Sequence, residues 1–156
     1  QSPGDLEREP EVRPADVRMA AMDLLARREH SRRELRQKLI RRFADADLVD
    51  EQLELLADEH LQSDARYAES LLRQRANRGH GPARIRQEMR QKGVANAEID
   101  AAMAAEEVDW YERAQDAYHR KFGELPPPDM KEKARRMRFM QYRGFDVDHY
   151  RHLLDD

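Results

Sequence analysis

The chain contains no cysteine. That absence excludes disulfides, thiolate metal sites and thiol nucleophiles together, and it agrees with a reducing compartment, the cytoplasm. No apolar run approaches the roughly 20 residues that a membrane-spanning helix requires. Residues 1–13 also lack the apolar centre of a signal peptide, so no membrane partner is expected. Alternating runs of Val, Ile and Thr are missing, and nothing announces a β-strand. With hydrophobic and charged fractions both at 39%, the chain is too polar to fill one thick core. It suits slim helices that each bury a narrow stripe.

Catalytic signatures are missing as well. There is no phosphate-cradling Gly-rich loop, no nucleophile elbow and no HExxH pattern. Of the scattered histidines only His149 and His152 have ligand-like i, i+3 spacing, and no further ligand accompanies them. His80, between Gly79 and Gly81, reads as an exposed turn residue. The expectation is a protein without catalysis, metal or cofactor.

What is present is charge, sorted in blocks. The net charge is only −3, yet Arg27 to Arg42 sums to +6 and Ala44 to His60 to −7. The alternation recurs: +6 over Arg66 to Lys92, −5 over Glu98 to Asp109, +5 over Arg113 to Arg143 and −3 over Asp146 to Asp156.

Apolar spacing and capping residues divide the chain into helices. Residues 1–13, with two prolines and no periodicity, read as a disordered tail. Pro14 starts a helix with Val17, Ala20, Ala21, Leu24 and Leu25 on one face. Ser31 with Glu34 is a capping box before Leu35, Leu39 and Phe43, and Asp47 or Asp50 opens a third helix with Leu53, Leu56 and Leu61. The order then repeats. Ser63 and Asp64 start a helix with Tyr67, Ala68, Leu71 and Leu72; Pro82 starts one with Ile85 and Met89; Asn96 caps one with Ile99, Ala102 and Met103. In the third round Asp109 opens a helix whose Trp110, Tyr111, Ala114, Tyr118 and Phe122 form a core stripe. Asp129 caps a helix through Met137 and Met140, and Asp146 opens a last one with Tyr150, Leu153 and Leu154.

Met89, Lys92, Gly93, Val94, Ile99 and Met103 match Met140, Arg143, Gly144, Phe145, Tyr150 and Leu154 at a constant offset of 51. The first unit fits if about four residues are inserted around Ala44 to Asp47. A period of roughly 45 to 50 residues marks a tandem array. The expected fold is therefore all-α, three tandem three-helix repeats spanning 14–62, 63–108 and 109–156, in an elongated array.

Three segments resemble the RecX family of bacterial modulators of the RecA recombinase. The first is Leu61, Gln62, Ser63, Asp64, Ala65, Arg66, Tyr67, Ala68, with Arg75, then Gly79, His80, Gly81, Pro82, Ala83, Arg84, Ile85, then Lys92, Gly93, Val94. The second is Ser31, Arg32, Arg33, Glu34, Leu35; the third is Arg138, Phe139, Met140, Gln141, Tyr142, Arg143, Gly144, Phe145. Glu59 to Ser63 depart from the family's usual residues ahead of Asp64, though Ser63 still suits a helix start. The resemblance covers about Pro14 to Leu154. It implies that the three tandem three-helix repeats form an elongated, curved array, a monomer lying along the groove of the RecA filament on single-stranded DNA. There it would block filament growth and dampen ATP hydrolysis, strand exchange and repressor self-cleavage.

Independently of the resemblance, the cations nominate a binding surface. Arg32, Arg33 and Arg36 would lie on the first unit, Arg66, Arg73, Arg75, Arg84, Arg86, Arg90 and Lys92 on the second, and Arg135, Arg136, Arg138 and Arg143 on the third. Such patches would face a polyanion or an acidic protein groove. Arginine predominates over lysine, which suits planar pairing with phosphate or carboxylate. Two other readings compete: an autonomous nucleic-acid-binding module, and a charged helical scaffold for another protein, in which the acidic helices are the binding face and the basic ones bind nothing. The basic helices could also be solvated faces bridged to the acidic ones by ion pairs.

Overall fold

The computed structural model describes residues 11–155, and among them nine helices and no strand occur. They are α1 (Pro14–Arg27), α2 (Arg32–Phe43), α3 (Ala46–Asp58), α4 (Asp64–Asn77), α5 (Pro82–Gln91), α6 (Asn96–Glu106), α7 (Trp110–Phe122), α8 (Met130–Arg143) and α9 (Val147–Leu154). Of the expected disordered tail, residues 1–10 lie outside the described residues, and 11–13 precede α1 without helical structure.

Local chemistry accounts for most helix ends. Ser31 Oγ accepts from the Glu34 backbone N–H at 3.2 Å while Glu34 Oε1 accepts from the Ser31 N–H at 3.0 Å, a complete capping box. Asp109 and Asp129 each accept from the backbone N–H three residues on, at 3.1 and 2.8 Å. Pro14 and Pro82 occupy first helical positions, where a missing N–H costs nothing. Two starts differ from expectation. The cap of α3 is Asp45, whose Oδ1 accepts from Leu48 N–H at 3.2 Å, rather than Asp47 or Asp50. Asn96 is the first residue of α6, not its cap, which is Ala95.

The register of the first unit is simpler than expected. Its helices begin at 14, 32 and 46 and those of the second at 64, 82 and 96, 50 residues apart throughout, so no insertion is needed. The marker that misleads is glycine: the turn after α5 uses Gly93 at φ 85, whereas Ala44 takes the left-handed conformation after α2 at φ 52. The irregular connection is α7 to α8. Ala68 corresponds to Ala114 at an offset of 46 but Met89 to Met140 at 51, which places five extra residues in the segment holding Pro126, Pro127 and Pro128.

Each triplet of helices closes on its own apolar cluster. Val17, Ala21, Leu35, Leu39, Val49, Leu53 and Leu56 form the first. Tyr67, Leu71, Leu72, Ile85, Met89 and Ile99 form the second, and Tyr118, Met140, Phe145, Tyr150 and Leu154 the third. Burial of such side chains contributes roughly 1.5–3 kcal/mol each. Two expected core residues lie outside: Leu61 follows the end of α3 at the surface, and Tyr111 is 55% exposed, against His149. Trp110 packs on both the second and the third cluster. Compact units run to Ser63 and from Asp64, so α4 to α9 form one unit and α1 to α3 another.

Candidate functional site

Many of the nominated cations are spoken for. In the first unit Arg36 pairs with Asp50 through Nε at 2.7 Å, and Arg32 Nη2 reaches Glu54 at 2.8 Å, so the basic α2 is bridged to the acidic α3. The second unit repeats the arrangement 50 residues on, with Arg86 Nη1 on Asp100 at 2.7 Å. At the third unit's equivalent positions, 51 residues further, stand Met137 and Arg151, so that bridge is missing. Arg75 grips Glu88 with two N–H donors at 2.9 Å between α4 and α5, and Arg73 reaches Glu106 at 2.6 Å. The exposed pairs, Arg36 with Asp50 and Arg86 with Asp100 among them, hold side chains in register more than they stabilise the fold, whereas Arg75 and Glu88 are partly buried.

On α8 the outcome divides. Arg135 is bound to Glu132 one turn back, with both bonds at 2.8 Å. The two guanidiniums of Arg135 and Arg136 hold the Glu132 carboxyl down to about 2. Arg136, expected on the exposed basic face, is 6% exposed. It donates to Tyr118 Oη and to the Leu125 carbonyl, both at 2.8 Å, and lies over the Phe122 ring. The repeat explains its place, because Arg136 stands four residues before Met140 as Leu35 and Ile85 stand before Leu39 and Met89. A buried arginine there ties α7, α8 and their proline-rich connection together.

Among the described residues, no carboxylate lies within ion-pair distance of Arg84, Arg90, Arg138 or Arg143. Arg33 and Arg66 are exposed and Lys92 half-buried. Arg84 and Arg143 meet where the second and third triplets join. There the Gly81 N–H donates to the Arg143 carbonyl at 2.7 Å and the Ala83 N–H to the Gly144 carbonyl at 3.0 Å. The C-terminus of α8 thus docks on the N-terminus of α5, carbonyls meeting N–H groups that would otherwise lack helical partners. The approach is so close that a Cβ on Gly81 would sit 2.4 Å from the Gly144 carbonyl carbon, and one on Gly144 2.4 Å from Arg84 Cβ. Gly144 also needs its freedom for φ 95.

Around this seam the side chains are cationic and aromatic. Arg84 lies 5.0 Å over the ring of Tyr142, which is 73% exposed. Arg143 lies 4.9 Å over Phe139 and donates to the Arg78 carbonyl at 3.3 Å. His80, expected at the surface, is half-buried here, with no hydrogen-bond partner at Nδ1 among the described residues. Burial, then the neighbouring Arg84, Arg143 and Arg75, push its pKa below the usual value, so the imidazole is neutral near pH 7. Sequence reasoning passed over Tyr142 and Phe139 as site residues, although both stand in the Arg138 to Phe145 segment. No group of three or more potential metal ligands occurs among the described residues, and no helix among them is long and apolar enough to cross a membrane.

The two seam segments, Gly79 to Ile85 and Arg138 to Phe145, lie far apart in sequence and come together in space. Comparison with known proteins gives this juxtaposition its context. Residues 18–54, 63–103 and 107–154 match the first, second and third three-helix domains of RecX respectively. The regulatory protein RecX of Pseudomonas putida is 49% identical over 141 residues, 90% of each chain. That of Ectopseudomonas mendocina is 47% identical over 90% of this chain and 94% of its own. The fold is shared with the crystal structure of RecX from Lactobacillus salivarius, at a TM-score of 0.74 and 20% identity over 90% of this chain and 94% of that one.

Proposed function

This chain belongs to the RecX family of regulatory proteins, and from that premise we propose that it binds the RecA filament on single-stranded DNA and restrains it. It inhibits or modulates filament assembly, ATP hydrolysis, strand exchange and co-protease activity, acting in the cytoplasm as a monomer made of repeats 14–62, 63–108 and 109–156. It has no catalysis of its own. The observation that carries the reading is the cationic seam between the second and third triplets. Among the described residues no carboxylate neutralises Arg84, Arg138 or Arg143, which makes them available to an anionic partner. The cations that pair with acids, Arg36 and Arg86 among them, serve register instead.

Charge reversal tests this. Replacing Arg84, Arg90 and Arg138 together by Glu should abolish inhibition of preformed RecA filaments while the far-ultraviolet circular dichroism stays helical. Full inhibition by that variant would move the contact to another face and favour the scaffold reading.

A further inference from the structure

The geometry points to Tyr142, backed by Arg84, as a nucleobase-stacking platform through which this chain grips unpaired DNA directly. The inference rests on the reading above, and it names the chemistry of one contact. Three observations carry it. Tyr142 is 73% exposed, far beyond what a packing role requires. The Arg84 guanidinium lies over the ring at 5.0 Å, and that contact fixes the ring's orientation and adds a cation beside it. Finally, Lys131, Arg138 and Tyr142, seven and then four residues apart along α8, are all exposed and share one helix face, on which Arg135 between them is held by Glu132.

A row of cations ending in an exposed aromatic ring is what a sequence-tolerant single-strand site needs. Cations track the phosphates, and the ring takes a base, since every base presents a π-face. Duplex DNA would not use it, because its bases are already stacked. An acidic protein partner would use the cations but would gain nothing specific from the ring. Charge complementarity and an accessible ring together favour the single strand.

The test compares wild type, Tyr142→Ala and Tyr142→Trp, without recombinase, on fluorescein-labelled oligothymidylate and on an abasic strand of equal length, by anisotropy across a salt series. Wild type should prefer the strand with bases by about tenfold, as expected for one stacked base. Tyr142→Ala should lose that preference, Tyr142→Trp should keep it, and the salt slope, set by phosphate contacts, should be the same for all three. Equal binding of both strands by wild type, undetectable binding at low salt, or a preference retained in Tyr142→Ala overturns the platform. Inhibition of RecA ATP hydrolysis is measured on the same proteins. Wild type that binds the base-bearing strand preferentially but fails to inhibit sinks the filament reading and leaves the platform standing. Tyr142→Ala that binds DNA like wild type yet no longer inhibits assigns the ring to a protein contact and overturns the platform.

Discussion

Gly81→Ser separates two arguments that predict opposite signs. By local propensity the change is favourable. Gly81 is the cap of α5 with φ −88 and ψ 173, an extended conformation any residue adopts, and serine caps better than glycine by a few tenths of a kcal/mol. Ser31, at the equivalent position 50 residues earlier, makes that very bond for α2. The seam argues the reverse. A Cβ on residue 81 would lie 2.4 Å from the Gly144 carbonyl carbon and 2.5 Å from the Phe145 nitrogen, and all of these are backbone atoms. Restoring an ordinary separation of about 3.5 Å moves α5 and α8 apart by about 1 Å. The Gly81 to Arg143 bond at 2.7 Å and the Ala83 to Gly144 bond at 3.0 Å then lie beyond hydrogen-bonding range. Two lost bonds at about 0.5–1.5 kcal/mol each, plus about 1–3 kcal/mol of overpacking, give a loss of roughly 2–6 kcal/mol. Urea unfolding followed by Trp110 fluorescence reads it, because Trp110 packs on both joined clusters. A Gly81→Ser protein as stable as wild type, or more stable, would refute the seam as a structural element.

Other outcomes follow from the same structure. Arg136→Ala should cost about 2–4 kcal/mol, since it removes the donor to the buried Tyr118 hydroxyl together with a packed side chain. Arg136→Leu, which restores the residue type of the first repeat, should cost about half as much, and urea midpoints rank the two. Arg86→Ala should cost less than about 1 kcal/mol, because its partner Asp100 is well exposed, and the same titration checks it. Acid should weaken the first unit through His30. Its Nδ1–H donates to the Arg28 carbonyl at 3.0 Å and its Nε2 accepts from Lys38 at 3.1 Å, which requires the neutral ring. Burial lowers its pKa, with Arg28 and Lys38 adding to the effect. The stabilisation is therefore complete above about pH 6.5, the unfolded value, and is lost as pH falls from there through the folded value. Unfolding free energies of wild type and His30→Gln between pH 7 and 5 should converge as the pH drops, and parallel curves would contradict the assignment.

Much of the fold was legible because capping chemistry is local. Ser31 with Glu34, Asp109, Asp129, Pro14 and Pro82 do in the structure what their types and spacings announce. Where a signal is non-local, the reading failed. Charge is ordinarily exposed, which points Arg136 to the surface, yet its correspondence with Leu35 and Ile85 in the repeat places it in the core. The first unit suggests an insertion only because Ala44, rather than glycine, makes its left-handed turn. The bridges Arg36 to Asp50 and Arg86 to Asp100 span two helices each, so block charges could not reveal which cations remained available. The seam joins residues more than fifty positions apart, and Gly81 and Gly144, which read in sequence as a turn residue and a helix stop, carry no local sign of the close approach between them.

The central claim is restraint of a recombinase filament, and the most direct measurement is single-strand-dependent ATP hydrolysis by preformed RecA filaments as this chain is added. The account predicts that hydrolysis falls at substoichiometric amounts of wild type and stays unchanged with the Arg84, Arg90 and Arg138 reversal. Hydrolysis that remains unaltered by wild type at molar excess would contradict it.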